Sequence, residues 1–163
     1  SGVASLHAAK NGAEVIHIDA SKKAINMAFE NREMSQLINA PIKFIVDDAL
    51  SFVKREVRRN SKYDGVILDP PKYGRGPKGE KWNIETDLPL LLNEINKLLS
   101  KDCLFIVINA YAIRVSHISL LNSLSILTNL NNGNYSSGEL VIKQKKFSKK
   151  KLSCSIFARW GKN

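Results

Sequence analysis

Residues 65–82 read GVILDPPKYGRGPKGEKW, an apolar run that stops at an acid, two prolines and a glycine-rich basic stretch. Val66, Ile67 and Leu68 have the composition of a buried strand. Pro70 and Pro71 cannot extend it, because each fixes its φ and removes a backbone donor. Asp69 is therefore expected at the carboxyl end of a strand, on backbone with little freedom to move. In open α/β sheets that end of the strands is where ligands bind.

Outward from this stretch, short β-rich runs alternate with segments of helical periodicity, the pattern of a mostly parallel α/β sheet. On the N-terminal side the spacing predicts a helix over 3–12 closed by Gly12 and a strand over 14–19. A helix from Ser21 to about Ile38 follows, with a core stripe of Ala24, Met27, Ala28 and Met34, and then a strand over 42–46 entered through Pro41. A basic amphipathic helix over 49–60 leads into a strand over 63–69. On the C-terminal side the pattern predicts a helix over 86–100 with Pro89 in its first turn, and a strand over 103–109 apolar enough for burial on both faces. Then come a helix around 116–130, a turn-rich stretch over 129–138, and two strands, ELVIKQK and LSCSIFARW, joined by basic residues.

The composition narrows the classes. With 163 residues, 44% of them hydrophobic and 25% charged, the chain suits one domain with one core, and no internal repeat is visible. No apolar stretch approaches the roughly 20 residues of a membrane span, so no membrane partner is expected. The chain opens Ser1-Gly2-Val3, without initiator Met or secretory signal, and reads as part of something longer. Cys103 and Cys154 lie far apart with no metal-like spacing, which suits a reducing, cytoplasmic setting and no metal site. The formal charge of +10 attracts polyanions. It gathers in three clusters: Lys54, Arg55, Arg58, Arg59 and Lys62; Lys72, Arg75, Lys78 and Lys81; and Lys143, Lys145, Lys146, Lys149, Lys150 and Lys151.

The predicted strands share a feature that packing does not require. EVIHID ends in Asp19, KFIVDD in Asp47 and Asp48, GVILDPP in Asp69, and FIVINAY in Asn109. Any one acid has a plain structural use, since Asp19 or Ser21 would cap the helix after it and Asp48 the next. An acid after a second strand also fits adenosine binding, because a carboxylate accepts hydrogen bonds from both ribose hydroxyls, and a nicotinamide enzyme would use it equally well. Asp69-Pro70-Pro71 separates the two readings: hydride transfer has no need of a rigid acidic loop, whereas a methyl acceptor must be held in line with a sulfonium carbon.

The order HIDASKKAI, VDDALSFV, ILDPPKYGRGPKGEKW, FIVINAY, GELVIK, SIFARW resembles the class I S-adenosylmethionine-dependent methyltransferases, in particular the bacterial group of ribosomal RNA large-subunit methyltransferases. The resemblance covers essentially the whole chain, and DPPKYGRGPKGE-W is its most specific part. It implies a Rossmann-like three-layer α/β/α fold, mostly parallel with an antiparallel last strand, whose first strand is expected ahead of Gly2. It implies S-adenosylmethionine as cofactor and S-adenosylhomocysteine as product. On that resemblance Gly2 is the tail of the glycine-rich cofactor loop, Asp19 holds the ribose with Ala20 and Ser21 beside it, Asp48 receives the adenine amino group, and Ala49 offers its backbone amide to the ring. Asp69, Pro70, Pro71 and Lys72 match the catalytic loop near the methyl group, with Asp69 reaching the cofactor as well.

The acceptor is expected to be RNA, ribosomal in the first place, with phosphates on Arg75 and Lys78 and bases against Tyr73 or Trp82. Asn109 and Tyr111 complete the expected substrate contacts, and Trp82 has packing as its plain alternative use. Methylation of cytosine at carbon 5 needs a thiolate that adds to the base. Related cytosine enzymes carry that cysteine just after the strand following the DPPK loop, where this chain reads Asn109-Ala110-Tyr111. Cys103 begins the strand, about 20 Å from the rim at roughly 3.3 Å per residue, and Cys154 alternates with Leu152 and Ile156 as a core residue would. Direct transfer to nitrogen or oxygen is expected. The competing readings are a non-catalytic cofactor- or RNA-binding module and a methyltransferase for a protein or small molecule.

Overall fold

A computed structural model describes residues 1–128, 130, 132–144 and 150–163, so Lys145, Lys146 and Lys149 of the third basic cluster lie outside the described residues. The chain divides into two compact units, Ser1–Phe52 with Arg75–Lys81, and Val53–Gly74 with Trp82–Asn163.

In the first unit, α1 (Val3–Lys10), β1 (Val15–Asp19), α2 (Lys22–Met34) and β2 (Ile42–Val46) are followed by the start of α3 (Ala49–Arg58). β1 and β2 pair in parallel from Val15 beside Ile42 to Asp19 beside Val46. α1 ends where the sequence predicts, with Gly12 at φ 89° in the left-handed region. Its N–H meets the Ala9 carbonyl at 3.0 Å. Leu6 and Ala9 of α1 pack with Ile42, Val15 and Phe44, while Phe29 of α2 meets the Phe44 ring edge-on at 5.9 Å. Both helices therefore cover the same face of the strand pair. The predicted stripe of α2 is wrong in part: Ile25 and Ala28 are buried, whereas Met27 is exposed and Met34 is 83% exposed. Close approach at Gly2 selects the inward face, since a Cβ there would stand 2.8 Å from the Cβ of Ala28.

In the second unit, β3 (Gly65–Leu68), α4 (Ile84–Leu98), β6 (Phe105–Ala110), α5 (His117–Ser123), β7 (Gly133–Lys143) and β8 (Lys151–Lys162) build a four-stranded sheet in the order β3-β6-β8-β7. β3 and β6 are parallel, and β8 runs antiparallel to both its neighbours, as expected of the last strand. β6 is not buried on both faces. Ile106, Ile108 and Ala110 are buried while Phe105, Val107 and Asn109 are only half-buried, a period-2 pattern with one fully buried face. The core adds Leu88, Leu91, Leu92, Ile95, Leu124, Ala158 and Trp160. The predicted helix at 116–130 is shorter, because a 3₁₀ turn over Leu124–Ile126 ends it, and Gly133, predicted in a turn, opens β7.

Between β3 and α4 stands a hairpin that periodicity did not reveal, β4 (Tyr73–Arg75) paired with β5 (Lys81–Asn83). Its turn closes through Gly76 N–H to Glu80 carbonyl at 2.8 Å and Gly79 N–H to Gly76 carbonyl at 3.0 Å. α4 starts two residues before the predicted Thr86 because Asn83 caps it: its Oδ1 accepts from Glu85 N at 3.1 Å, and its own N–H donates to Asp87 Oδ2 at 2.7 Å. Pro89 consequently falls in the second turn instead of the first.

One buried acid stabilises the second unit. Glu56 of α3 accepts from Tyr63 Oη at 2.7 Å and Arg59 Nη1 at 2.8 Å. The Tyr63 hydroxyl is the main cause that holds the Glu56 carboxyl below the usual glutamate range, while burial foremost, and then that carboxylate, push the Tyr63 phenol well up. No helix among the described residues is long and apolar enough to cross a membrane.

Candidate active site

The parallel pairing of the first unit brings its acids together. Asp47 N–H donates to the Asp19 carbonyl at 3.1 Å, joining the ends of β1 and β2. Asp19 Oδ1 accepts from Ser21 N at 2.7 Å, and Ser21 Oγ caps α2 by accepting from Ala24 N at 3.3 Å. Asp47 Oδ1 accepts from Asp48 N at 2.9 Å, and Asp48 Oδ1 caps α3 by accepting from Ser51 N at 2.8 Å. The capping uses foreseen for Ser21 and Asp48 are thus real. They engage one oxygen of Asp19 and one of Asp48, and an ionised carboxylate has capacity for more. Ala20 and Ala49 are half-buried at the heads of α2 and α3. Gly2, at φ 82°, heads α1 in a conformation and at a close approach that exclude other residues. Ser5 of α1 reaches His17 of β1 at 2.8 Å while Leu6 and Ala9 pack toward Val15, so Gly2 lies toward the Asp19 end.

The second unit arranges its strand ends differently. Leu68 stands beside Ile108, so Asp69 and Asn109 leave β3 and β6 at the same end. Among the described residues none donates a hydrogen bond or forms an ion pair with the Asp69 carboxylate. Partial desolvation holds that carboxyl above the ordinary aspartate range even though the residue stands at the surface. The backbone after it is fastened. Pro71 carbonyl accepts from Trp82 Nε1 at 2.8 Å, and Lys72 carbonyl accepts from Ile84 N at 3.0 Å. The Pro71 carbonyl is therefore committed to the protein itself. Lys72 Nζ lies 5.2 Å from the centre of the Tyr73 ring, and that ring is 63% exposed.

Other expected contacts have mixed placements. Arg75 and Lys78 are exposed on the hairpin, where Lys78 N–H is bound to Glu80 Oε2 at 2.8 Å. Tyr111 is exposed just beyond β6 and lines a shallow depression with Ala110, Ala112, Ile113 and Ser153–Ile156. Cys154 lines it too and is exposed, which corrects its expected place in the core. The cause is register: Ala110 faces Ile156 across the antiparallel pair, so the start of β8 passes the end of β6, and among the described residues it pairs there with β7 alone. Cys103 is buried at the opposite end of β6, where desolvation raises its thiol pKa. No grouping of three or more His, Cys, Asp and Glu suited to a metal occurs among the described residues.

Within each unit a parallel strand pair brings its polar ends together, and in the first unit α2 and α3 are capped at those ends, the pattern of a Rossmann-like α/β ligand-binding fold. Within that class the chain belongs to the methyltransferase-domain family, which it matches over residues 1–153, as the DPPK string led us to expect. It is similar to a SAM-dependent methyltransferase structure from Agrobacterium tumefaciens, with 45% identity and a TM-score of 0.94 over 99% of this chain and 53% of that one. It is also 37% identical over 101 residues to the ribosomal RNA large subunit methyltransferase K/L of Shewanella frigidimarina, a match covering 61% of this chain and 14% of that protein. The ribosomal RNA large subunit methyltransferase I of Aeromonas salmonicida is 35% identical over 69 residues, covering 42% of this chain and 17% of the relative. The chain thus spans a fifth or less of the curated relatives it matches.

Proposed function

We propose that this chain supplies the cofactor-binding and catalytic residues of a cytoplasmic S-adenosylmethionine-dependent methyltransferase acting on RNA, ribosomal RNA first, with nitrogen or oxygen as the accepting atom. The observation that carries the reading is Asp69, a carboxylate with raised proton affinity on a doubly fastened proline loop and no partner among the described residues. The first unit's residues fit the cofactor. Asp19 and Asp48 keep hydrogen-bonding capacity for ribose hydroxyls and an adenine amino group, with Ala20 and Ser21 beside the first. Ala49 heads α3, and Gly2 offers backbone with no side chain. When bound, the cofactor supplies a methyl group on a sulfonium, whose carbon–sulfur bond is exchanged for a bond to the acceptor.

In this reading Asp69 accepts the hydrogen bond of the acceptor's N–H or O–H, orients its lone pair, and takes up the proton that must leave. Pro70, Pro71 and Lys72 fix the loop. Tyr73 offers an exposed ring for base stacking, and Arg75 and Lys78 offer cations for phosphates, with Trp82, Asn109 and Tyr111 near the acceptor. RNA is supported by the +10 charge and by the names of the curated relatives. The Cys154 thiol is directed at the carbonyl of Leu152 in its own strand, at 3.7 Å, and is assigned no chemistry.

The test is to incubate the full-length protein with tritiated S-adenosylmethionine and unmodified large-subunit ribosomal RNA, then digest and identify the labelled nucleoside. A nucleoside methylated on nitrogen or oxygen is expected, with no loss of transfer in Cys154→Ser. The appearance of 5-methylcytosine, label in protein alone, or abolition by Cys154→Ser would overturn the assignment.

A further inference from the structure

We infer that Trp82 is a positioning residue for the Asp69 loop, acting through its indole N–H and not as a surface on which substrate stacks. The inference rests on the methyl-transfer reading above. Pro70 and Pro71 have no N–H, so the backbone of these two residues can be fastened only through its carbonyls. Two are fastened, Pro71 by Trp82 Nε1 at 2.8 Å and Lys72 by Ile84 N at 3.0 Å. The donors belong to a well-anchored stretch: Ile84 is buried, Asn83 caps α4, and Leu88, Leu91 and Leu92 bury the helix that follows. Gly74 eases the close approach to Pro71, because a Cβ there would stand 3.3 Å from Pro71 Cγ, while Trp82 Cβ at 3.6 Å would be in ordinary contact. Asp69 makes no side-chain bond of its own among the described residues, so its place is inherited from the loop that Trp82 holds.

This assigns Trp82 a use that stacking does not predict. Trp82→Phe keeps an aromatic ring and loses only the donor. A misplacement near 1 Å costs about 100-fold in rate, so in the full-length protein both Trp82→Phe and Trp82→Ala are expected to lower kcat about 10- to 100-fold, with KM for in-vitro-transcribed large-subunit ribosomal RNA changed less than about 3-fold. A Phe variant with wild-type kcat beside an Ala variant with raised KM is the stacking pattern and overturns the inference.

Hydrogen exchange supplies a readout that does not depend on transfer. In Trp82→Phe the amide of Ile84, which donates to the Lys72 carbonyl at 3.0 Å, is expected to exchange about 10-fold faster while those of β6 keep their protection, which also reports that the variant is folded. Unchanged exchange at Ile84 overturns the inference. Should the variant not fold, the wild-type indole N–H of Trp82 decides: slow exchange supports the bond to Pro71, and exchange at the rate of a free indole removes it. If the wild-type protein transfers no methyl to RNA, the functional reading fails while the exchange data still judge the Trp82–Pro71 contact.

Discussion

Asp19 and Asp48 in the first unit and Asp69 in the second all stand where a strand gives way to a loop, but only the first two hold backbone in place. Asp19 Oδ1 fixes Ser21 at the head of α2, and Asp48 Oδ1 caps α3 through Ser51. Asp69 fixes nothing among the described residues; its loop is held by Pro71 and Lys72 carbonyls bound to Trp82 and Ile84. A capping acid has a reason to exist in any protein of this fold. An acid that caps nothing, is partly desolvated and is carried on rigid backbone is a cost to folding, and such costs concentrate at functional sites.

The contrast breaks most sharply at Asp69. Asp69→Asn is expected to lower methyl transfer about 100- to 10,000-fold, the usual worth of a positioned proton acceptor. Its thermal midpoint should stay level or rise, because a carboxyl whose folded pKa is raised stabilises only at low pH and loses that contribution as pH rises through the folded value. The wild-type rate should therefore fall on the acid side with a midpoint above the ordinary aspartate value of about 3.9, and Asp69→Asn should lack that limb. A variant that unfolds more easily at neutral pH would show that Asp69 has a structural role after all.

Asp19→Ala sharpens the other side. It should weaken S-adenosylhomocysteine binding by about 1–3 kcal/mol, from polar groups left unpaired, as calorimetry would read. It should also cost about 1 kcal/mol of stability for the lost turn at α2. Asp48→Ala should show the same pairing of losses at α3.

Tyr63→Phe serves as a control remote from chemistry. Removing the hydroxyl that chiefly depresses Glu56 should cost about 1–3 kcal/mol of stability at neutral pH by denaturant unfolding. A lowered folded pKa gives stability present above the unfolded glutamate value, about 4.3, and lost as pH falls through the lowered one, so wild type and variant should converge in acid. Lys78→Ala on the hairpin should do least, weakening RNA binding modestly and reducing its salt slope by about 1.

Much of this was legible in the sequence. β2 has its predicted bounds and β1 differs by one residue, because β-branched runs bounded by Pro41, Asp19 and Asp47 carry their own limits. The acids at the strand ends were readable for the same reason. What escaped depends on partners distant in sequence. β4 and β5 are three residues each, too short for an alternating pattern, and only their pairing makes them strands. The start of α4 was hidden because Asn83 and Asp87 form a reciprocal cap that resembles ordinary polar sequence. Trp82 to Pro71 spans eleven positions, and Glu56 to Tyr63 joins a helix to the entry of a strand, so neither has a local signal. Cys154 was misplaced because alternation gives a residue's face but not whether the strand beside it has already ended.

The division of labour among the acids is tested most directly by measuring, for Asp19→Ala and Asp69→Asn in one set of experiments, the affinity for S-adenosylhomocysteine and the rate of tritiated methyl transfer to large-subunit ribosomal RNA at saturating cofactor. The expected pattern is crossed: Asp19→Ala loses affinity and recovers most of its rate at saturation, whereas Asp69→Asn keeps wild-type affinity within about 3-fold and loses its rate. Near-wild-type transfer by Asp69→Asn, or a parallel loss of affinity in both variants, would contradict it.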